Sequence, residues 1–358
     1  MKTKTIILFL LFIAACNTGN KKEIIIIKET DFQKDKMLIG EYLNIYPTPH
    51  CPENILIIDS LLIIKNGDMC NDDFFYIYNK NDNKFLNSFG KRGRGPKEFL
   101  SVKMSGQYVK NENSIKIWVH NRTGFKLINI TRSVEENRIV IDDEIIYKSQ
   151  EFHPVLDAFL LPNINIIGKS LTRLGRLFYY DSNDNKINWI EYFPKVTNPP
   201  FDEDMIVNLY IGPTSISPDN SRIVSALELF KRIDVFSEKT DHLFSLVFDG
   251  SPENPDFYVN PNNPIPNDLM HYYYDLFLTD KFIYALNINI SEAEINKDLD
   301  SGYSEIHVFC WAGKPIAIYR LNHLIYSITV DENKGYLYGL LLPDEKEFYG
   351  KIGKFKLR

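Results

Sequence analysis

Cysteine is scarce in this chain and patterned cysteine is missing. Four cysteines stand at 16, 51, 70 and 310, with no Cys-x-x-Cys among them. That removes zinc ribbons and thioredoxin-type redox motifs. Positive charge is not in excess: 41 Lys and Arg face 47 Asp and Glu, a net charge of −6. The balance argues against a nucleic-acid partner and against electrostatic adhesion to anionic lipid. Amphipathic helical periodicity is almost absent. No nucleophile elbow and no zinc-binding helix is visible, and the seven histidines are scattered. These gaps give no catalytic residue, no metal site and no cofactor to name. A Ser/His/Asp constellation has no fixed order in sequence and stays open.

The one long apolar run is residues 6–15, behind the basic head Met1-Lys2-Thr3-Lys4-Thr5. It is too short for a permanent membrane helix, which needs about 20 residues. Head, apolar run and small residues before a cysteine read as an export signal. The order Ile13-Ala14-Ala15-Cys16 resembles a bacterial lipoprotein signal, with Cys16 as the lipidated first residue of the mature protein. A plain secretory signal would show an Ala-x-Ala-type site, which the stretch 17–22 does not offer. The expected organisation is a signal at 1–15, a flexible tether at 16–22 and one domain over 23–358. The expected place is the cell envelope, lipid-anchored, at the outer membrane rather than the inner, facing periplasm or exterior.

Aromatic and β-favouring residues are plentiful, with 21 Tyr, 24 Phe and abundant Ile. Short alternating apolar runs recur between Asn, Asp, Gly and Pro turns. One set is 55–58, 61–65, 74–78 and 84–89. The next is 102–105, 107–109, 114–119 and 125–130. Three further sets fall in 158–192, 214–248 and 273–321. A sixth, over 325–355, ends one strand short. Four-strand units repeating about every 50 residues predict an all-β, six-bladed β-propeller. The orphan run Glu23-Ile24-Ile25-Ile26-Ile27-Lys28 is expected to pair with the last strand and complete the sixth sheet. Residues 131–150, 194–211, 249–270 and 287–304 read as insertions, with a short helix possible near 291–299.

Several segments carry a resemblance. Phe89-Gly90-Lys91-Arg92-Gly93-Arg94-Gly95-Pro96-Lys97-Glu98-Phe99, Ser215-Ile216-Ser217-Pro218-Asp219-Asn220, the Trp311-Ala312-Gly313 hairpin and Ser327–Tyr338 look like the TolB-like six-bladed propeller lipoproteins of Gram-negative bacteria. The resemblance implies fold and compartment. It implies no catalytic residues, because members of that group are largely uncharacterised.

Lys91, Arg92, Arg94 and Glu98 lie in a loop expected to cross from blade one to blade two, on the face carrying the channel mouth. Its cations and glycines suit an anion or a partner surface. The bland alternative is a crossing shaped by glycine, with Glu98 paired to an arginine. His271-Tyr272-Tyr273-Tyr274-Asp275 either lines the channel mouth or belongs to the core. The turns 181–185 and 331–335 look faintly like calcium loops but lack the closing glutamate of an EF-hand. Blade geometry brings the start of the first strand and the end of the second to one end of a sheet. Cys51 and Cys70 are therefore candidates for a disulfide, and Cys310 for a buried free thiol.

The functional expectation is a monomeric, non-catalytic binding module for an unknown protein or small ligand on the channel-mouth face. The alternative is a metal-dependent hydrolase of the six-bladed lactonase type. That enzyme needs three or four inward carboxylates or amides, and the inner strands read as poor in acids.

Overall fold

The computed structural model describes residues 23–95, 97–149, 151, 153–196, 205–251, 269–295, 302–342 and 350–357. Cys16, the tether and Pro96 lie outside them. The chain opens with three short strands, β1 (Glu23–Ile27), β2 (Lys34–Leu38) and β3 (Glu41–Tyr42). Blade one follows as β4 (Pro52–Ile58), β5 (Leu61–Asn66), β6 (Phe75–Asn79) and β7 (Phe85–Phe89). Blade two is β8 (Lys103–Lys110), β9 (Ile115–His120), β10 (Gly124–Asn129), helix α1 (Ile130–Glu135) and β11 (Ile141–Ile146). Blade three is β12 (Val155–Leu160), β13 (Ile166–Ser170), β14 (Leu177–Asp181) and β15 (Lys186–Ile190). After α2 (Met205–Leu209), blade four is β16 (Thr214–Ile216), β17 (Arg222–Ala226), β18 (Arg232–Ser237) and β19 (His242–Phe248). Blade five is β20 (Met270–Leu278), β21 (Phe282–Ser291), α3 (Glu292–Ile295), β22 (Glu305–Cys310) and β23 (Pro315–Leu321). Blade six is β24 (Ile325–Asp331), β25 (Tyr336–Leu341) and β26 (Ile352–Lys356).

Every blade is an antiparallel meander, and the six-bladed propeller expected from the repeats is the fold. The apolar core is divided into six wedges, one between each pair of neighbouring blades. Leu56, Ile63 and Ile77 of blade one meet Ile117, Val119 and Ile128 of blade two. Tyr338, Leu340 and Ile352 of blade six meet Ile55, Ile57 and Leu62 of blade one, which completes the circle. The period-two alternation follows from this layout. Each strand sends alternate side chains into the wedges on its two sides.

An N-terminal strand closes the ring, but a different one from that expected. The fourth strand of blade six is β3, paired antiparallel to β26 through Gly353 opposite Tyr42 and Lys354 opposite Glu41. Residues 23–27 instead form a fifth strand on blade four, parallel to β19. β2 is likewise a fifth strand on blade five, parallel to β23. The isoleucine run reaches blade four because Ile25 and Ile27 pack into the wedge between blades four and five.

Blade two also differs from the expectation. Residues 103–110 are one strand, broken by a register shift around Gly106, whose φ is +75°. The fourth strand is β11, inside the segment read as an insertion. The disulfide joins Cys51 and Cys70 with Cα atoms 6.2 Å apart and a sequence separation of 19. A loop of that size contributes about 3 kcal/mol. Cys310 is a free thiol, half-buried rather than buried.

Candidate functional site

The first strands of all six blades line a central cavity of about 1160 Å3. Inner strands face one another across it, so alternate residues on each have no wedge to enter. Toward the middle of the inner strands, charges stand singly between apolar neighbours, as Lys103 on β8, Asp157 on β12 and Asp275 on β20 do, while Lys110 and Asp331 line the cavity at strand ends. The expectation of acid-poor inner strands is corrected on this point. The missed signal was a lone charge between apolar neighbours, as in Leu156-Asp157-Ala158 and Tyr274-Asp275-Leu276.

The two carboxylates differ in their surroundings. Asp275 Oδ2 accepts from Ser327 Oγ at 2.9 Å and from the Ile328 amide at 2.7 Å, while Oδ1 accepts from the Leu276 amide at 2.8 Å. It stitches blade five to blade six. Burial nevertheless pushes its pKa up to about 6, and Asp157 across the channel adds a like charge. Among the described residues, neither the Asp157 carboxylate nor the Lys103 ammonium has a hydrogen-bond or ion-pair partner. Burial raises the Asp157 pKa, while Lys103 and Lys169 pull it back. Lys103 and Asp157 thus sense each other within one cavity without closing an ion pair.

Behind this wall Lys169 is fully enclosed. Its Nζ donates to the Tyr210 and Gly212 carbonyls at 2.7 and 2.9 Å, and burial lowers its pKa to about 7. His120 is held neutral, with burial lowering its pKa to about 3 and Lys103 and Lys65 adding to the effect. Gln107 bonds Asn220 Oδ1 at 2.8 Å and the Leu160 carbonyl at 2.7 Å, joining blades two, three and four under the channel floor.

The mouth on the blade-crossing face carries the five-residue cluster read as either mouth or core, and strand alternation divides it. Tyr273 is fully buried against His307, with its hydroxyl 3.1 Å from Nδ1. Tyr274 is exposed to the channel. His271 sits between Glu228 Oε1 at 2.7 Å and Glu292 Oε2 at 2.9 Å. The Glu228 bond, ahead of the opposing cost of burial, raises its pKa. Both ring nitrogens are occupied, so the cluster is an ion-paired clamp holding α3 to blade four.

The Lys91–Glu98 loop lies on the same face as the 66–73 loop. Arg92 Nη1 donates to the Asp68 carbonyl, and Glu98 Oε2 accepts from the Gly95 amide at 2.8 Å. Lys91, Arg92, Arg94 and Glu98 are all exposed. None of the four lines the channel. Segments 181–185 and 331–335 are hairpin turns. Asp331 accepts from the Lys334 amide at 3.1 Å and is ion-paired to Lys80. Among the described residues no three His, Cys, Asp or Glu side chains are grouped to hold a metal. The lactonase alternative finds no support among these residues: Asp157 lies under the influence of Lys103 and Lys169, and Asp275 is tied to blade six.

A family model described as TolB-like 6-blade propeller-like matches residues 31–333. The chain belongs to that family. Two solved structures share its propeller. One is a Bacteroides fragilis protein named as a presumed exported protein, with a TM-score of 0.53 and 13% identity, covering 93% of this chain and 100% of that one. The other is a DUF4221 family member from Bacteroides vulgatus, with a TM-score of 0.56 and 11% identity, covering 90% of this chain and 96% of that one. No curated protein matches the sequence. At these identities the likeness is one of fold.

Proposed function

We propose that this TolB-like propeller is an exported, lipid-anchored binding module that holds a small ligand in its central channel without transforming it. The observation that carries the reading is the pair Lys103 and Asp157, two ionisable groups in one cavity with no partner among the described residues. A confined charge without a partner costs stability, and a fold keeps it where binding requires it. A ligand bearing both a cationic and an anionic group satisfies both. The exposed cations Lys91, Arg92 and Arg94, with Glu98 bracing their loop, are the proposed outer contact on the crossing face. The signal ending at Cys16, and the name given to the Bacteroides fragilis relative, support an envelope location.

The test uses thermal melting of the ligand-free protein. Lys103→Met and Asp157→Asn are each expected to raise the melting temperature, by a stabilisation of about 1 kcal/mol. Arg92→Ala with Arg94→Ala should leave it unchanged, because both side chains are exposed. A fall in either channel variant would make those charges structural and sink the reading.

A further inference from the structure

The N-terminal wrap carries an apolar surface that the ring does not use. Ile24, Ile26, Met37, Ile39 and Tyr42 are 47–70% exposed. They crowd into twenty residues, while the remaining exposed large apolar side chains are spread over the rest of the chain. Along β1 the alternation is sharp. Ile25 and Ile27 enter the wedge between blades four and five, and Ile24 and Ile26 face outward. β1 and β2 are the outermost strands of their blades, so these side chains lie on the circumference of the disc. The acids among them are partly neutralised from within. Glu29 pairs with Lys231 and Arg320, and Asp35 pairs with Arg320. Lys34 and Lys36 remain exposed beside the isoleucines and the methionine, and Lys28 is exposed as well, in a loose surface pair with Asp249 at 3.7 Å.

Chain length says what covers this surface. β1 begins at Glu23, seven residues after Cys16. A fully extended chain spans at most about 3.6 Å per residue, so the reach is about 25 Å. A domain of this size is roughly 50 Å across. A lipid on Cys16 therefore holds the outer edge of blade four, where β1 begins, within about half a domain's width of the bilayer. No helix among the described residues is long and apolar enough to cross a membrane, so the contact is peripheral.

We propose that the circumference of blades four and five lies against the bilayer that holds the anchor. Ile24, Ile26, Met37 and Ile39 enter the headgroup boundary, and Lys28, Lys34 and Lys36 reach back to the phosphates. The disc then stands on edge with its channel axis along the membrane plane. This inference rests on lipidation at Cys16.

The experiment uses the full-length protein purified from membranes and reconstituted into phosphatidylethanolamine–phosphatidylglycerol vesicles. In a Cys310→Ser background, Met37→Cys or Ile39→Cys carries an environment-sensitive fluorophore. Asp143→Cys on the outer strand of blade two serves as the distant control. The rim label should shift to the blue on vesicles and be quenched by headgroup-proximal spin-labelled lipid, and the control should do neither. Equal quenching at both sites, or none at the rim, overturns the proposal. Blue-shifted emission at the rim without vesicles means that a second copy covers the surface, and also overturns it. Intact mass separates the two claims. Without a diacylglyceryl adduct lost in Cys16→Ala, the anchoring reading fails as well. With the adduct and no rim signal, only the orientation fails.

Discussion

Asp234 lies where three buried side chains depend on one carboxylate. Arg176 pairs with it from blade three, Arg232 Nε donates to it at 2.8 Å, and Ser245 Oγ at 2.5 Å. Arg176 and Asp234 have no side-chain exposure. Burial alone would raise the Asp234 pKa, yet the two guanidinium groups hold it far below the ordinary carboxylate range. Asp234→Ala leaves Arg176 and Arg232 as buried cations without their carboxylate, with Arg176 held only by the Phe193 carbonyl and by Ser225, and should cost about 3–5 kcal/mol by urea denaturation at pH 7. A loss under about 1 kcal/mol would show that the network relaxes. Asp275 makes the opposite prediction. Its folded-state pKa of about 6 lies above the ordinary 3.8. The fold therefore binds this proton more tightly, and the stability it brings is complete below about pH 4 and lost as the pH rises through 6. The urea midpoint of the native protein should fall between pH 4 and 7 relative to that of Asp275→Asn. Parallel pH profiles for the two proteins would assign the slope to other groups. Neither role was legible in the sequence. Arg232-Ile233-Asp234 reads as an alternating strand, and alternation marks a face without saying which neighbouring sheet covers it.

At the scale of elements, the strands that the sequence showed clearly are those with apolar residues on both faces, such as Ile55 to Ile58 and Tyr336 to Leu341. β11 was missed because its outer position suits it to charge. Ile141-Asp142-Asp143-Glu144 keeps an open edge from pairing with another chain, and the same acids look like loop. The N-terminal run was recognised as a strand and given the wrong partner. Five isolated residues specify a strand, while the choice among six similar blade edges rests on which wedge receives Ile25 and Ile27. The corrected topology changes the expected cost of truncation. Deleting residues 17–28 removes a fifth strand and leaves β3 on β26. Deleting 17–42 also opens blade six. The longer deletion should lower the melting temperature well beyond the shorter one, and equal losses would mean that β3 contributes nothing to closure.

For the whole molecule, the repeat of four-strand units was enough to specify the ring, because each unit buries its faces only against a neighbour. The channel chemistry was not, because convergence of Lys103, Asp157 and Asp275 depends on where six inner strands point after closure. Closure has a further consequence, in time. Glu41 pairs with Lys354 across nearly the full length of the chain. A chain made from its N-terminus presents β1, β2 and β3 first, while their partners β19, β23 and β26 follow one blade apart. Blades one to three can form as they emerge, but β1 must wait for blade four, β2 for blade five and β3 for the last strand of blade six. The order of pairing grades the defects of a shortened chain: a product that stops before β19 leaves its isoleucine-rich leading edge open, and one that stops between β19 and β26 covers that edge but leaves β3 unpaired.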